Sequence, residues 1–495
     1  MADNTTRRAF LESAAGSLLT ASTAMPRSMT ARKTVGIQIG AVSFVDEGVV
    51  PVLDFLQERA HVNTLFIAVF TYGRGIAGRQ IPGQPLPDHG KQQYDTGTFY
   101  GGSYTAIHSQ YFTNTPLKDV RAPDLGTFDV FEAVLPESRH RGMRNIAWFE
   151  DVFRSDIPGI QQLQEKDLHG RNAQTLCFNN PNYRNFLLAL VEDYTRSWDL
   201  DGIMWGSERQ GAFSNAIGSS AGGLHTDPGR VTCFCEFCQR KGKERGIQFA
   251  RVQQGFLELE EFVRGARARR RPTDGYYVTL WRHMLRYPEL LAWENLWHDS
   301  LRDTYRAIYA KVKSIKPSMM VGWHIWHNNS FSPIYRAEQD LQKIAPVSDF
   351  LKIVIYNNVA GERMASYIDS VGQTQFGDIP NEELLHLHYE LLGYKDEGTY
   401  QQISRTGFSS DYVLRETQRA RKGLAGTNTL LWPGIDVDVP TAPGHSKCAS
   451  DGVREAVLAA FRSGADGIIL SRKYSEMRWA NLEGAGQAIR ELGLA

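Results

Sequence analysis

Short apolar runs recur along the chain, and most of them end in polar or aromatic residues. Eight such runs occur, at residues 35–42, 64–72, 145–150, 202–208, 320–327, 351–357, 429–436 and 466–472. Their nearly continuous apolar character is typical of parallel strands that are buried on both faces. The pattern therefore predicts eight buried strands.

Amphipathic helices are predicted between several of these runs. In residues 183–198, one helical face carries Phe186, Leu187, Leu190, Val191 and Tyr194. Residues 296–315 show a similar face, and residues 452–462 form a helical pattern just before the eighth run. Eight strand–helix units in one chain predict an α/β fold, a (β/α)₈ TIM barrel.

Three connections are longer than simple strand-to-helix loops. Residues 73–144, 209–318 and 359–428 follow the second, fourth and sixth predicted strands. All three leave the carboxyl ends of strands, which is the face where barrel active sites lie. Because such lengths without secondary structure are uncommon, we expect extra helices in the last two. One barrel domain over residues 31–495, with a built-up cleft, is the simplest organisation.

The charge balance narrows the possible partners. The chain of 495 residues has 55 Lys plus Arg and 55 Asp plus Glu, so its formal net charge is zero. Nothing in this balance attracts nucleic acid or anionic lipid, and the basic run at residues 264–271 is interpreted as a solvated face. A content of 42% hydrophobic and 22% charged residues excludes a disordered or collagen-like chain. The sequence thus predicts a globular protein without nucleic-acid binding.

The amino-terminal residues resemble an export signal. Residues 6–11 (TRRAFL) match the twin-arginine pattern, and a mildly apolar stretch and small residues follow at 14–24. This stretch is too short and polar to span a bilayer, and no later stretch could span one. We expect residues 1–30 to be a twin-arginine signal segment and the mature protein to be periplasmic or secreted. An ordinary helix with two arginines is the alternative.

Three of the five cysteines are close together in the chain. Cys233, Cys235 and Cys238 can converge on one tetrahedral zinc, and Cys177 or His225 could be the fourth ligand. A disulfide to Cys177 or Cys448 is the alternative in an oxidising compartment, and free thiols are a third. The spacing favours a structural zinc site.

Carboxylates follow several predicted strands. Glu208 ends the fourth, between Ser207 and Arg209 and close to Trp205. Glycoside hydrolysis uses two carboxyl groups, one that protonates the leaving oxygen and one that attacks the anomeric carbon or activates water. Glu208 is predicted to be one of them, and a salt bridge at the barrel rim is the alternative.

The second carboxylate should come from another strand end. Asp436 ends the seventh strand and ranks first, because the fourth and seventh strands face one another across a barrel. Asp438 ranks second and Glu476, after the eighth strand, ranks third. Glu150 and Asp151 end the third strand.

Other strand ends carry residues suited to sugars. Hydroxyl groups bind to Asn, His and Arg, and apolar sugar faces stack on Trp and Tyr. The predicted substrate-binding set is Trp205, Ser207, Arg209, His324, His327, Asn328, Tyr356, Asn357, Trp432, Asp438 and Glu476. Trp326, Asn329 and Asn358 also lie at these ends. Each residue alone has a structural explanation, and their shared position favours a carbohydrate substrate.

A Glu at the end of strand four, followed about 25 residues later by Cys-x-Cys-x-x-Cys, resembles the clan A glycoside hydrolases. Within that clan it is similar to the β-galactosidase family that carries a four-cysteine zinc site. The resemblance implies that Cys177, Cys233, Cys235 and Cys238 bind zinc. It also implies that Glu208 is the acid/base and that a carboxylate after strand seven is the nucleophile.

The chain departs from this family at two positions. Ser207 stands where the clan usually has Asn, and strand seven offers Asp436 and Asp438 instead of Glu. A divergent glycoside hydrolase is therefore expected, with a non-catalytic glycan-binding barrel as one alternative. A metal-dependent hydrolase is another, although residues 36–40 lack the His-x-His that such barrels usually carry.

Overall fold

A computed structural model describes residues 33–71, 87–91, 100–151 and 156–495. The predicted signal segment, residues 1–30, lies outside the described residues, as do residues 72–86 and 92–99 after the second strand. Residues Thr34–Ala495 form one compact unit.

Each of the eight apolar runs contains a parallel strand. The strands are β1 Thr34–Gly40, β2 Thr64–Thr71, β3 Arg144–Glu150, β4 Gly202–Gly206, β5 Met320–Ile325, β6 Phe350–Ile355, β7 Leu430–Leu431 with Gly434–Asp436, and β8 Gly467–Ser471. They pair in chain order, and β1 is paired in parallel with both β2 and β8. The sheet is therefore a closed eight-stranded barrel, and the predicted (β/α)₈ fold is confirmed.

The seventh strand is interrupted at Trp432-Pro433, where proline has no N–H to donate. The pairing nevertheless continues on both sides. Trp432 N donates to Leu351 O at 2.9 Å, and Ile469 N donates to Pro433 O at 2.9 Å. The interruption places Trp432 in the middle of β7 rather than at its end.

A ring of helices surrounds the barrel. Its members are α1 Val49–Glu58, α2 Val130–His140, α3 Pro181–Ser197, α4 Glu289–Ile315, α5 Leu341–Ile344, α6 Ser410–Gly423, α7 Ser450–Arg462 and α8 Trp479–Glu491. In α3, Asn180 Oδ1 accepts from Asn182 N at 3.0 Å and Pro181 occupies the first turn. Both features favour helix initiation. The predicted apolar face of this helix is buried.

The long connections contain further helices, as expected. They are Ala212–Ala216, Glu236–Glu244, Phe249–Arg267 and Tyr276–Arg286 after β4, and Asn357–Val371, Asn381–Leu392 and Ile403–Thr406 after β6. Shorter elements are the helices Ala41–Glu47 and Pro333–Glu338, a ribbon of Gln164–Lys166 with Asn172–Leu176, and the strand Gly102–Ser103. Single 3₁₀ turns occur at Ser109–Tyr111, Ile160–Gln162, Gly223–His225, Pro228–Arg230, His327–Ser330, Ala345–Val347 and Tyr474–Glu476.

The barrel interior is filled by side chains rather than open. Its apolar cluster consists of Phe66, Ala68, Ile146, Trp148, Met204, Phe350, Trp432 and Ile469. A larger core lies between the strands and the helix ring. Packed interiors of this kind hold the strand ends in fixed positions, so polar side chains at the carboxyl ends of the strands form a rigid rim. We call this end of the barrel the mouth.

The basic run lies on the outside of the long β4–α4 connection. Arg264 forms ion pairs with Asp227 at 2.6 Å and with Glu260 at 2.8 Å, and Arg271 forms one with Asp378 at 2.6 Å. These arginines are thus neutralised by acidic neighbours. No helix in the described part of the chain is long and apolar enough to cross a membrane.

Candidate active site

Glu208 projects into the mouth two residues after β4. Its Oε1 lies 2.9 Å from His324 Nε2 on the adjacent strand β5. About 43% of the Glu208 side chain is exposed, against 7% of His324. Among the carboxylates at the strand ends, Glu208 is therefore the most exposed.

A glycine makes this contact possible. Gly206 pairs with His324 in the β4–β5 register. A Cβ at Gly206 would lie 2.7 Å from His324 Cβ, which is closer than real Cβ contacts. The absence of a side chain at Gly206 leaves the space in which His324 turns toward Glu208.

The surroundings of Glu208 keep it ionised. Its position deep in the mouth raises its pKa, but the His324 hydrogen bond and the positive charges of Arg363 and Lys352 lower the pKa to about 2. Burial and the Lys352 charge lower the pKa of His324, so the ring is neutral and Nε2–H can donate to the carboxylate. Glu208 is a carboxylate at any physiological pH.

The pKa of Glu150, at the end of the neighbouring strand β3, is shifted in the opposite direction to that of Glu208. Glu150 is 7% exposed, and within the described part of the chain its Oε2 has no hydrogen-bond partner. Burial and the negative charge of Glu208 raise its pKa well above the usual value, although Lys352 opposes them. Two carboxyl groups whose pKa values are pushed apart are typical of an acid/base pair.

A buried lysine lies between these groups. Lys352 in β6 is completely buried, and its Nζ donates to Gln38 Oε1 and, at 3.0 Å, to Tyr356 Oη. Burial lowers its pKa to about 7, although the carboxylates of Glu208 and Glu150 oppose this. The register aligns Glu150, Gly206, His324 and Lys352 across β3 to β6, so they form one layer of the mouth.

Asp436, predicted as the second catalytic carboxylate, is held by its surroundings. It is 1% exposed, and its two oxygens accept from Val359 N and Val439 N, each at 3.0 Å. Cys448 Sγ lies 3.2 Å from Oδ1. Burial raises its pKa to about 6 against these hydrogen bonds. Its contacts join β7 to the first turn of the helix Asn357–Val371, and its catalytic role stays a prediction.

Asp438 and Glu476, the carboxylates predicted to rank second and third, form ion pairs with arginines. Asp438 Oδ1 accepts from Arg478 Nη2 at 2.8 Å, and its Oδ2 accepts from Asn481 Nδ2 at 2.8 Å. Glu476 is 2% exposed and binds Arg472 through both oxygens, at 2.9 and 3.0 Å. These contacts fix the loops after β7 and β8.

Ser207 and Arg209, on either side of Glu208, turn away from the open mouth. Ser207 Oγ donates to Asp151 Oδ2 at 2.7 Å, and Arg209 Nε donates to the same oxygen at 2.9 Å. Tyr183 donates to Asp151 Oδ1 at 2.9 Å. Asp151 thus anchors the segment that presents Glu208, and this segment is a support rather than a sugar-contacting surface.

Two predicted tryptophans lie outside the mouth, which corrects their assignment to substrate. The Trp205 ring packs against Tyr305 of α4 and against Trp323, in the layer between strands and helices. Trp432 is 1% exposed and stacks on Phe350 inside the barrel. Alternation along β4 turns Trp205 outward, and the position of Trp432 within β7 buries it.

The polar residues predicted after β5 and β6 form a buried network. His327 Nε2 lies 2.9 Å from Tyr412 Oη, and its Nδ1 lies 2.9 Å from Arg363 Nη1. Asn328 donates to Gln210 Oε1 at 3.0 Å and to Ser219 O at 2.9 Å, and it is 1% exposed. Tyr356 is buried over Lys352, and Asn357 Nδ2 donates to Phe408 O at 3.4 Å. Among these contacts, the hydrogen bond between His327 and Arg363 holds the arginine side chain in place.

The structure brings the four predicted zinc ligands together. The sulfurs of Cys177, Cys233, Cys235 and Cys238 all lie within 4.8 Å of one another and are buried. Cys177 Sγ lies 3.6 Å from Cys238 Sγ and 3.4 Å from Cys235 Sγ. These separations exceed the S–S bond length of about 2.05 Å. They approach the roughly 3.8 Å between thiolates on a tetrahedral zinc with bonds of about 2.3 Å. His225 is not part of the cluster, and Cys448 lies beside Asp436.

Two groups in the mouth were missing from the predicted site. Lys352 is a single charged residue within the apolar run FLKIVI, and that contrast is a signal that the sequence does contain. Arg363 lies on a helix without any marking motif, and only the fold places it near Glu208. Glu150 was named among the strand-end carboxylates but was not ranked for the catalytic role.

No protein-family profile matches this sequence, and no curated protein matches it. Solved structures with a similar fold exist. The β-galactosidase of the haloarchaeon Halorubrum lacusprofundi has a TM-score of 0.50 at 13% identity, covering 93% of this chain and 58% of that chain. The neighbours are glycoside hydrolases.

Two further neighbours are the α-L-fucosidase isoenzyme 2 of Paenibacillus thiaminolyticus and the PgaB glycoside hydrolase domain of Bordetella bronchiseptica. The fucosidase has a TM-score of 0.47 at 13% identity, with 93% of this chain and 49% of that chain covered. The PgaB domain has a TM-score of 0.48 at 10% identity, with 93% and 98% covered. The chain thus spans about half the length of the fucosidase. At these identities the likeness concerns the barrel fold.

Proposed function

We propose that this protein is a glycoside hydrolase that uses Glu208 as its ionised carboxylate and Glu150 as its proton donor. The observation that carries the proposal is the opposed state of these two groups at the ends of adjacent strands. The barrel fold alone would not support it, because barrels host many chemistries. The charge balance of the chain suits an uncharged carbohydrate substrate.

The proposed chemistry divides the two tasks of glycosidic cleavage. Glu150 donates its proton to the leaving oxygen as the glycosidic bond breaks, and the Glu208 carboxylate stabilises the positive anomeric carbon or attacks it. Water then bonds to the anomeric carbon, displacing Glu208 if a covalent bond has formed, and returns a proton to Glu150. Resemblance to the clan A enzymes implies the acid/base role for Glu208. A pKa of about 2 suits the ionised role instead, because a proton donor must still hold its proton near neutral pH.

Lys352 supports this division. Its positive charge lies near both carboxyl groups and favours their ionised forms. The pKa of Lys352 is about 7, and the negative charge that Glu150 gains when it gives its proton away raises this pKa, so Lys352 then keeps its proton and stabilises that charge. It is a positioning residue in this scheme, because it is completely buried below the reacting groups.

The proposal is tested with Glu208→Gln and Glu150→Gln on a panel of chromogenic glycosides. Glu208→Gln should lower kcat/KM by about 10²- to 10⁴-fold on every substrate that the wild type cleaves. Glu390→Gln, at an exposed position on the helix Asn381–Leu392, is the matched control and should keep full activity. Unchanged turnover by folded Glu208→Gln would refute the assignment.

Leaving-group dependence separates Glu150 from Asp436 as proton donor. Glu150→Gln should lose activity on alkyl glycosides, which need protonation, far more than on nitrophenyl glycosides, which need it less. Asp436→Asn should show equal losses on both, since its carboxylate holds loops together. The reverse pattern would transfer the role to Asp436.

A non-catalytic glycan-binding barrel is the second candidate. It is favoured by the fact that the carboxylates after β7 and β8 are bound to backbone N–H groups, arginines or both. Saturable glycan binding without turnover on the full panel, unaffected by Glu150→Gln, would support this function in place of hydrolysis.

We also propose that the four cysteines hold a structural zinc ion. Buried thiolates are stable only when paired with a cation or protonated, and four of them at these separations suit one Zn²⁺. Asn179 Nδ2 donates to Cys238 Sγ at 3.3 Å, as an outer hydrogen bond to a ligand would. The zinc would join the ribbon after β3 to the helix Glu236–Glu244.

Export through the twin-arginine pathway completes the proposal. It rests on Arg7 and Arg8 and the following apolar stretch. Proteins on this pathway fold before transport, and a chain with a proposed metal site has reason to fold in the cytoplasm. Fusion of residues 1–30 to a reporter should send the reporter to the periplasm, and Arg7→Lys with Arg8→Lys should abolish that transport.

A further inference from the structure

A second cluster of ligating side chains lies outside both the mouth and the cysteine cluster. Glu294 and His298 are one turn apart on α4, and Glu338 ends the helix Pro333–Glu338. One ligand atom from each lies within 4.8 Å of the other two. Glu294 is 5% exposed and His298 is 2% exposed. We call these three residues the Glu–His–Glu cluster.

The ring of His298 lies between the two carboxylates and pairs with both of them through Nε2. Its Nε2 lies 2.8 Å from Glu338 Oε2 and 3.7 Å from Glu294 Oε1. The other ring nitrogen, Nδ1, is buried without a hydrogen-bond partner among the described residues. Such unsatisfied groups in a buried site call for an explanation.

The remaining carboxylate oxygens are oriented by their neighbours. Glu294 Oε2 accepts from Phe213 N at 2.8 Å, and its Oε1 accepts from Ser214 N at 3.3 Å. Ser214 Oγ donates to Glu338 Oε1 at 3.0 Å. A Cβ at Gly211 would lie 2.2 Å from Glu294 Oε2, so only glycine admits the carboxylate there. Hydrogen bonds of this kind fix the ligands of metal sites.

The cluster opens onto a cavity of about 620 Å³. Asn295, His388 and several apolar side chains line it together with the three cluster residues. None of Glu150, Glu208, His324 and Lys352 lines this cavity, so it is separate from the mouth. The space gives an ion an entry path and leaves room for water ligands.

We propose that the Glu–His–Glu cluster binds a divalent transition-metal ion through Glu294, His298 and Glu338. Two carboxylates and one neutral imidazole carry two negative charges, which match the charge of one divalent ion. Bonds of roughly 2.1 Å place neighbouring ligand atoms about 3.0 to 3.5 Å apart, near the separations observed. One imidazole with two carboxylates suits zinc, manganese or iron rather than calcium or magnesium. This inference does not depend on the proposed glycoside hydrolysis.

Cobalt(II) distinguishes this site from the cysteine cluster. Chelator-treated full-length protein is titrated with Co²⁺ and followed by absorption. Thiolate ligands give intense charge-transfer bands in the near ultraviolet, whereas nitrogen and oxygen ligands give only weak visible bands. Wild type should bind two equivalents, one with thiolate bands and one without. His298→Ala and Glu338→Gln should each lose only the second equivalent.

Two variants make the result decisive. His388→Gln changes a buried histidine of the same cavity that is outside the cluster, and it should keep both equivalents. Cys235→Ser should lose the thiolate bands and keep the other equivalent. If His298→Ala and Glu338→Gln bind as much Co²⁺ without thiolate bands as wild type, or if wild type binds none, the proposal is overturned. Glu338→Gln preserves the shape of the side chain and answers the question even if His298→Ala does not fold.

Discussion

His324 Nε2 lies 2.9 Å from Glu208 Oε1, across the β4–β5 pair, and this contact joins a neutral ring to the exposed carboxylate of the mouth. It works together with the charges of Lys352 and Arg363 to keep Glu208 ionised. Glu150, on the other side of β4, has no such donor and is pushed toward its protonated form. The chemistry of the site thus depends on which neighbour each carboxyl group has.

Removal of the His324 contact should shift the pH dependence of catalysis. His324→Ala removes a hydrogen bond that lowers the pKa of Glu208, so that pKa should rise by roughly one to three units. The acidic limb of the kcat/KM profile should therefore move to higher pH. His324→Gln retains a donor and should move it less. An acidic limb that stays in place in His324→Ala would show that it does not report Glu208.

Lys352→Met should change how stability depends on pH. Burial lowers the pKa of Lys352 to about 7 in the folded state, below the unfolded value, so the unfolded chain binds more protons between pH 7 and about 10. Between pH 7 and about 10, the free energy of unfolding of the wild type therefore rises with pH, by up to about 1.4 kcal/mol per pH unit from this group. Below pH 7 the protein bears the full free-energy cost of burying the charged lysine.

The measurement is denaturant unfolding of both proteins from pH 6 to 10. The free energy of unfolding of Lys352→Met relative to wild type should fall as the pH rises through this window. Lys422→Met replaces an exposed lysine and is the matched control, which should not show this trend. A difference that does not vary with pH would mean that Lys352 keeps an ordinary pKa.

Gly206→Ala should disturb the mouth without removing any charged group. The new Cβ would lie 2.7 Å from His324 Cβ, so His324 must move away from Glu208. We expect a loss of about 1 to 3 kcal/mol in stability from overpacking and a clear fall in kcat/KM. Gly452→Ala, where a Cβ would meet nothing within 4 Å, is the matched control. Equal activity in both variants would contradict the role given to Gly206.

Replacement of one cysteine of the cluster should remove the zinc and destabilise the fold. Metal analysis of Cys235→Ser should show one zinc fewer per chain than wild type, and Tm should fall because binding energy contributes to folding. Cys448→Ser removes a cysteine outside the cluster and should keep the zinc. Full zinc content in Cys235→Ser, or a wild-type protein in which the four cysteines form disulfides, would contradict the proposal.

The strands were predictable because each is a short apolar run buried on both faces, and β1 to β8 all begin within one residue of the start of a predicted run. Glu208 was predictable for the same reason, since it follows such a run directly. Trp205 was misplaced because its neighbours in sequence do not show which face of β4 turns outward. Trp432 was misplaced because the interrupted strand β7 continues beyond it to Asp436.

The amino-acid sequence by itself determined the barrel, the position of Glu208 at a strand end and the cysteines that could share a metal. Local patterns suffice for these features, because the apolar run of a strand and the spacing of the cysteines can each be seen in a short stretch of consecutive residues. Only the tertiary structure decided the protonation states and the second cluster of ligands. A pKa depends on charges from different elements of the fold, as Glu208 shows with Lys352 from a strand and Arg363 from a helix. Likewise, Glu338 joins Glu294 and His298 only because two helices pack together.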